Sequence, residues 1–508
     1  MRGLTLSPRT AAGARRRTEA LLLVFVVAIT VLGQASVGLA MNGTLPADLT
    51  GFTISMSLLA LVGHLGVRRF AAYADPLILP LALLLTGIGL VLLARLDQTY
   101  TAKFENAAAN APGQLLWTVI GVAICLAILM VLRDHRLLQR YIYLTMAVAL
   151  VLLIAPAFMP ADTYGAKRWI YLGSMSVQPG EFVKIMIAVF FAGYLVIHRD
   201  SLALTGRKFL GMRLPPGRQL GPIVSVWIVS LLVLVFERDL GTSLIFFGVF
   251  VVMLYVATER TSWIVCGLFM AAVGAFAVGS TEPHVKGRIA AWLEPMAIFL
   301  PPEQRPPGIV SDQSAQALFS FGSGGITGTG LGLGHPELIG FAARSDFILT
   351  TVGEELGLAG VMAVLLLYAL LVQRGLRMAL GARDPFGKLL AVGLAAALAL
   401  QVFVVAGGVT GLIPLTGKAL PFLAKGGSSL VANWVMIALM LRISDSAERQ
   451  READARSSDP ESGAGSGAGS GAGSDRDHDP EAVTDSPPGA LSGSPGPGSS
   501  GASGWSSR

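Results

Sequence analysis

The chain has 508 residues, of which 53% are apolar and only 14% charged, with a mean hydropathy of +0.64. A soluble domain carries about 25% charge, so the composition excludes a water-soluble globule and points to an integral membrane protein. The formal charge is +6, but Arg and Lys cluster in short loops between apolar runs, which reads as membrane topology and not as nucleic-acid binding.

Residues 1–19, including "ARRR" at 14–17, predict a basic cytoplasmic N-terminus. The run that follows, 20–40, is too long for a signal-peptide core and lacks a cleavage site, so a retained span is expected. Further runs able to cross roughly 30 Å of hydrocarbon lie near 50–67, 76–94, 114–132, 141–160, 181–198, 220–236, 240–257, 262–280, 346–372, 388–410 and 427–442. They predict an all-α, polytopic membrane helix bundle of about twelve helices, with ten to twelve as the range that run length supports. The transmembrane domain is expected over 20–443, followed by a Gly/Ser/Pro-rich cytoplasmic tail over 444–508 that cannot bury a core and reads as disordered.

Basic loops alternate with charge-poor ones. "RR" at 68–69, "RDHRLLQR" at 133–140, the 198–218 segment and "RGLRMALGARDPFGK" at 374–388 fall on one side. The positive-inside rule therefore places both termini in the cytoplasm. The opposite side receives 41–49, 97–113, 161–180, 411–425 and a large loop over 281–345.

Cations on that outer side run against the rule: Lys167, Arg168, Lys286, Arg288, Arg305, Arg344, Lys418 and Lys425. Membrane headgroups explain some of them; the sharper reading is an anionic substrate whose phosphate they clamp. Cys125 and Cys266 both sit in apolar runs, so no disulfide framework is expected, and the six histidines show no metal-ligand spacing.

Charged groups inside spans are functional candidates by default. "QPGEFVKI" at 178–185 puts Glu181 and Lys184 three residues apart on one helical face, where they can neutralise each other. "FERDLGTSL" packs Glu237, Arg238 and Asp239 into a short turn. "RSDFILTTVGEELGLAG" sets Asp346 at a helix start, favoured by the dipole, with Glu354 and Glu355 two turns on, where an internal salt bridge competes with catalysis. "FGSGGITGTGLGLG" at 321–334 lacks the Lys-Ser/Thr of a nucleotide loop. "GLIPLTGKALPFLAKGGSSLVAN" at 411–433 combines two prolines with a Gly-Gly-Ser-Ser helix start, as broken backbone lining a cavity would. The longest polar stretch, "EPMAIFLPPEQRPPGIVSDQSAQ" at 294–316, reads as helix-free until its end and carries Glu294, Glu303 and Asp312.

"GAKRWIYLGSMSVQPGEFVKI", "RDLGTSL", "SDFILTTVGEELGLAG" and "GLIPLTGKALPFLAKGGSSL" occur in the order seen in the FtsW/RodA/SpoVE (SEDS) family. The chain resembles that family over roughly 75–443, and the extra N-terminal spans at 20–74 with the Gly/Ser tail resemble its actinobacterial, RodA-like branch. The resemblance implies a peptidoglycan glycosyltransferase that polymerises lipid II beside a class B penicillin-binding protein. It implies a carboxylate base for the acceptor hydroxyl and cations or a divalent metal for the leaving diphosphate. On this resemblance Lys167, Arg168, Arg288 and Lys418 contact the diphosphate or sugar, Glu181 and Lys184 line the cavity, and Asp346 joins the substrate-binding set.

In the family, R-x-x-x-x-L-D-P continues as D-P-x-G-x-G-Y-Q, and an Asp of that loop is regarded as catalytic. Here "RIAAWLEP" supplies Glu294, and the second Asp position falls near Pro306. The usual Asp is missing or displaced, and Glu294, Glu303 and Asp312 are the acids expected to replace it. Lys425 stands where an aromatic is usual and Gly180 where a serine is common. A non-catalytic paralogue scaffolding a penicillin-binding protein, and a flippase for lipid-linked precursors, stay open as alternatives, although no inverted repeat supports the second.

Overall fold

The computed structural model describes residues 8–104, 107–159, 168–172, 175–202, 208–209, 212–213, 221, 224–229, 232, 239–306 and 312–457. Among the described residues, 10 helices are long and apolar enough to cross a membrane. They are Gly13–Asn42, Leu49–Phe70, Ile78–Lys103, Ala111–Val131, Pro179–Arg199, Leu240–Thr258, Thr261–Thr281, Ile348–Gly381, Pro385–Val409 and Gly427–Ala455. The all-α bundle is as expected, and the described residues hold ten spans, the lower end of the expected ten to twelve.

Two of the twelve runs account for the difference. The 141–160 run forms only the 13-residue helix Ile142–Ile154, about 20 Å long, before a 3-10 turn at Ala155–Phe158. Pro156 explains the break, since it has no N–H to donate and its ring crowds the preceding turn. The 220–236 run falls largely outside the described residues, with 224–229 helical. The expected loop over 281–345 is more regular than its sequence suggests. It holds helices Pro283–Leu293 and Gln313–Gly324 and 3-10 turns at Pro295–Phe299, Pro302–Gln304 and Pro336–Arg344.

The Ile78–Lys103, Pro385–Val409 and Gly427–Ala455 helices are the most buried and form the centre. Pro385–Val409 packs against Ile348–Gly381, Leu240–Thr258 and Pro179–Leu202. The first two spans and Thr261–Thr281 lie at the rim, with Leu21, Phe25, Leu61 and Phe269 exposed where lipid would cover them. A short antiparallel hairpin, Ile170–Leu172 with Met175–Val177, leads into the Pro179–Leu202 helix.

Between Pro385–Val409 and Gly427–Ser457 the chain runs without a helix, yet Thr416, Lys418, Leu420 and Leu423 are buried. Unpaired backbone at that depth costs several kcal/mol per group, and neighbouring side chains supply the partners. Gln401 Nε2 donates to Ala419 O at 3.0 Å and Gln114 Nε2 to Ala424 O at 3.1 Å. Arg288 Nη1 donates to Leu415 O at 2.8 Å, and Tyr368 Oη donates to Pro421 O. Gln114 Oε1 accepts in return from Gly426 N at 3.1 Å.

The glycine-rich 321–334 stretch docks on a break in the Ile348–Gly381 helix at Gly357, where φ is +68°. Leu358 N donates to Gly325 O at 2.9 Å and Thr329 N to Glu354 O at 2.9 Å. A Cβ on Gly357 would lie 2.3 Å from Gly328 N, so only glycine fits.

Candidate active site

Four polar elements converge where the broken 410–426 segment meets the starts of the Pro179–Leu202, Leu240–Thr258 and Gly427–Ser457 helices. Lys418 is the hub. Its Nζ lies 3.0 Å from Asp239 and 3.6 Å from Glu181. Asp239 is the N-cap of Leu240–Thr258 and accepts from Thr242 N at 2.9 Å and Thr242 Oγ1 at 2.8 Å. Lys418 reaches it because Gly241 has no side chain; a Cβ there would sit 2.3 Å from Lys418 Cγ.

Behind the hub, Lys184 Nζ donates to Glu181 at 2.8 Å, Gln401 Oε1 at 2.6 Å and Asn433 Oδ1 at 3.1 Å. Ser429 Oγ donates to Glu181 Oε2 at 3.1 Å. The expected Glu181–Lys184 pairing is therefore present, and every buried charge in this network has an opposite charge or a neutral polar partner, which is what burial demands.

Electrostatics fix the protonation of the hub outside the spans. Burial raises the pKa of Asp239, but the charges of Lys418 and Arg168 and the Thr242 hydrogen bonds outweigh it and bring the carboxyl down to about 2. Burial works against the Lys418 ammonium, and Asp239 with Glu181 overcome it, so its pKa is raised. Both groups are ionised.

In front of the network lies a cavity of about 230 Å³, whose wall includes Arg168, Trp169, Gln178, Asp346, Lys425 and Ser428. Gly417 is also on the wall, and a Cβ there would come within 3.1 Å of Arg288 Nη2. Burial and repulsion from Arg168 lower the pKa of Arg288, while Asp239 and Asp346 oppose the shift. Burial and the Arg344 charge likewise lower that of Lys425. A site that penalises its own cations is one that gains from an incoming anion. Asp346 is the wall's carboxylate. It accepts from Ser345 Oγ at 2.8 Å, and burial raises its pKa despite that bond and the nearby Arg288 and Arg168 charges.

Of the residues singled out from sequence, Arg168 and Asp346 line the cavity, Arg288 lies against it, and Glu181, Lys184 and Lys418 form the network behind. Lys167 lies outside the described residues, as do Glu237 and Arg238. The three loop acids are not on the cavity wall. Glu294 and Glu303 are exposed in the 3-10 region. Asp312 sits at the N-cap of Gln313–Gly324, where its carboxylate accepts a long contact, 3.4 Å, from Gln316 Nε2.

Glu354 and Glu355 are structural. Glu355 pairs with buried Arg95, which also donates to Gly334 O, and Glu354 Oε1 accepts from His335 N at 2.5 Å, so together they pin the glycine-rich stretch. Arg344 is likewise used internally, 2.9 Å from Asp97 and over the Tyr100 ring at 4.2 Å. Sequence reading missed Gln401 and Asn433, which sit in apolar helices with no local motif; the available signal was a lone amide inside a membrane span. Among the described residues no group of acidic, His and Cys side chains could hold a metal ion.

This architecture defines a class: a polytopic membrane protein whose bundle encloses a cation-rich, helix-broken polar site. The family description "Cell cycle protein", FtsW/RodA/SpoVE, matches residues 75–449, and the chain belongs to that family. It is similar to the peptidoglycan glycosyltransferase RodA of Mycobacterium tuberculosis, 44% identical over 86% of this chain and 92% of that relative. It is also similar to a probable peptidoglycan glycosyltransferase FtsW of Trichlorobacter lovleyi, 34% identical over 74% of this chain and 94% of that one. The fold is shared with a chain from a solved peptidoglycan synthase complex, with a TM-score of 0.56, 24% identity and coverage of 74% of this chain and 98% of that one. Thermus thermophilus RodA shares it at a TM-score of 0.50, 21% identity and coverage of 73% and 96%.

Proposed function

We propose that the chain is a peptidoglycan glycosyltransferase that extends glycan strands from lipid II at the outer face of the plasma membrane. The observation that carries this reading is the cavity wall on which, among the described residues, Arg168 and Lys425 stand with one carboxylate, Asp346. Its volume, about 230 Å³, is below the roughly 300 Å³ at which ordinary ligand pockets begin. That suits a diphosphate and leaves the sugars over the outer segments.

In the reaction an acceptor sugar hydroxyl attacks the donor anomeric carbon, the carbon–oxygen bond to the diphosphate breaks with inversion, and the prenyl diphosphate leaves. The hydroxyl proton goes to a carboxylate. The Arg168 guanidinium and the Lys425 ammonium, with Arg288 and Lys418 next to them, stabilise the charge that grows on the leaving group. Family resemblance assigns the base to the 294–316 segment, at Glu294, Glu303 or Asp312. The geometry favours Asp346, because it alone of the four lines the cavity and its raised pKa suits a base. Among the described lining residues Asp346 is the carboxylate that would hold a divalent cation, which would supply further positive charge to the leaving diphosphate beside Arg168 and Lys425.

The similarity to a chain from a synthase complex supports a class B penicillin-binding protein as partner, with crosslinking left to it. A second reading, a non-catalytic scaffold for that partner, is favoured by the placement of Glu294, Glu303 and Asp312 away from the cavity. Polymerisation of lipid II by the purified chain in liposomes, run on Asp346→Asn, Glu294→Ala, Glu303→Ala and Asp312→Ala, tests both. Polymer from all but Asp346→Asn is expected. Polymer from none, wild type included, refutes the enzyme in favour of the scaffold.

A further inference from the structure

The first two spans lie outside the stretch matched by the family, 75–449, and their basic ends carry a second cavity far along the sequence from the one above. It measures about 450 Å³ and is lined by Gly13, Arg16, Arg17, Ala20, His64, Arg68 and Ala72. No acid faces it. Glu19, the nearby carboxylate, is fully buried and already held by Arg16 and by His64 Nδ1 at 2.8 Å.

Two features show that the basic groups are not consumed internally. Arg17 and Arg68 are exposed, and their side chains make no ion pair or hydrogen bond among the described residues. Arg16 is only 5% exposed, anchored to Glu19 and Ala74 O, yet its Nε has no partner. Such a buried donor needs an acceptor.

Each free arginine heads an apolar stripe. On Pro8–Asn42, Leu21, Val24 and Phe25 follow Arg17 at spacings of four, seven and eight; on Leu49–Phe70, Leu65, Leu61 and Leu58 precede Arg68 at three, seven and ten. All six are more than half exposed, and helical spacing keeps each set on one face with its arginine. Gly13, Ala20 and Ala72 leave the space between the stripes open at the basic end.

We propose that this groove binds the phosphate of an anionic phospholipid, with Arg17 and Arg68 clamping the headgroup, Arg16 closing behind it, and the acyl chains lying on the two stripes. Guanidinium forks match phosphate oxygens, and one molecule that is anionic at one end and apolar along its length satisfies both halves of the site. A zwitterionic lipid would bring its own cation against three arginines. A soluble phosphate would leave the stripes unused. The site is separate from the proposed polymerase cavity, and neither reading depends on the other.

Native mass spectrometry of the full chain released from micelles containing phosphatidylglycerol or phosphatidylcholine tests the assignment, with inorganic phosphate as a third arm. Retained phosphatidylglycerol is expected on the wild type, with apparent affinity lower by about tenfold or more in Arg17→Ala/Arg68→Ala. Arg17→Lys/Arg68→Lys should recover part of it, and Lys388→Ala, an exposed cation elsewhere, should change nothing. Because the Arg17 and Arg68 side chains are exposed and make no ion pair or hydrogen bond among the described residues, the double variant keeps the thermal midpoint of the wild type. Equal retention of phosphatidylcholine, undiminished phosphatidylglycerol binding by the double variant, or displacement of the lipid by millimolar inorganic phosphate would each overturn the proposal.

Discussion

Replacing Lys418 by methionine separates what the charged hub does for the fold from what it does for the reaction. The side chain is 3% exposed and faces Asp239 at 3.0 Å and Glu181 at 3.6 Å. At an effective dielectric of about 20, each contact corresponds to about 5 kcal/mol of attraction, most of it offset by the desolvation of the ions. Methionine fills the volume and removes the charge.

Glu181 keeps Lys184 at 2.8 Å, so the group that loses most is Asp239, which is left with the Arg168 charge and the Thr242 hydrogen bonds; removing one member of such a buried pair costs up to about 3–5 kcal/mol. Neutralising Asp239 as well, in Lys418→Met/Asp239→Asn, should recover about half of that loss, because the remaining cost is then one of packing and hydrogen bonds. Asp239→Asn alone should cost less than Lys418→Met, since Lys418 retains Glu181. The assay is tryptophan fluorescence during denaturant titration in micelles, comparing both single variants and the double. Additive losses, or a Lys418→Met variant as stable as the wild type, would refute the hub as described.

Other perturbations read other parts of the molecule. Gly357→Ala forces a side chain into a backbone at φ +68° and should lower stability by at least about 1–3 kcal/mol, seen in the same titration. A base works deprotonated, so with the Asp346 carboxyl raised by burial the rate should fall as pH drops through a value above the ordinary aspartate pKa of about 3.9. Asp346→Glu should move that acid limb and Asp312→Glu should not; the reverse would assign the base to the 294–316 segment. Labelling of intact cells by a membrane-impermeant maleimide should modify Glu303→Cys and spare Lys388→Cys, and the opposite pattern would invert the topology.

Much of this was legible in the residues. Apolar run length located all ten spans, because hydrocarbon thickness constrains length directly, although the Ile78–Lys103 and Gly427–Ala455 helices continue well past the ends of their runs at 94 and 442. The long Ile348–Gly381 helix was harder to bound: its apolar run ends near 372, and Arg374 and Arg377 continue the helix beyond it. Glu181 and Lys184 announced their pairing by spacing. The prolines of 411–433 announced broken backbone, but not which distant side chains, Gln114, Gln401 and Tyr368, would satisfy it. Those contacts join residues 18, 53 and 310 positions apart, and local pattern carries no such information. The same limit hid the roles of Glu354 and Glu355: nothing near them in sequence names Arg95 or the His335 amide as partner. Conversely, Glu294 and Glu303 drew attention because acids are scarce in this chain, and exposure on 3-10 turns is enough to explain them.

The central claim is that the cations around the cavity hold a prenyl diphosphate, and the most direct measurement is binding of undecaprenyl diphosphate to the purified chain. Trp169 on the cavity wall provides a fluorescence signal for the titration. Removing both wall cations, in Arg168→Ala/Lys425→Ala, should weaken the apparent Kd by about tenfold or more, since each charged hydrogen bond contributes about 1.5–3 kcal/mol, while Lys388→Ala binds as the wild type does. An unchanged Kd in the double variant, with its fold intact, would contradict the account.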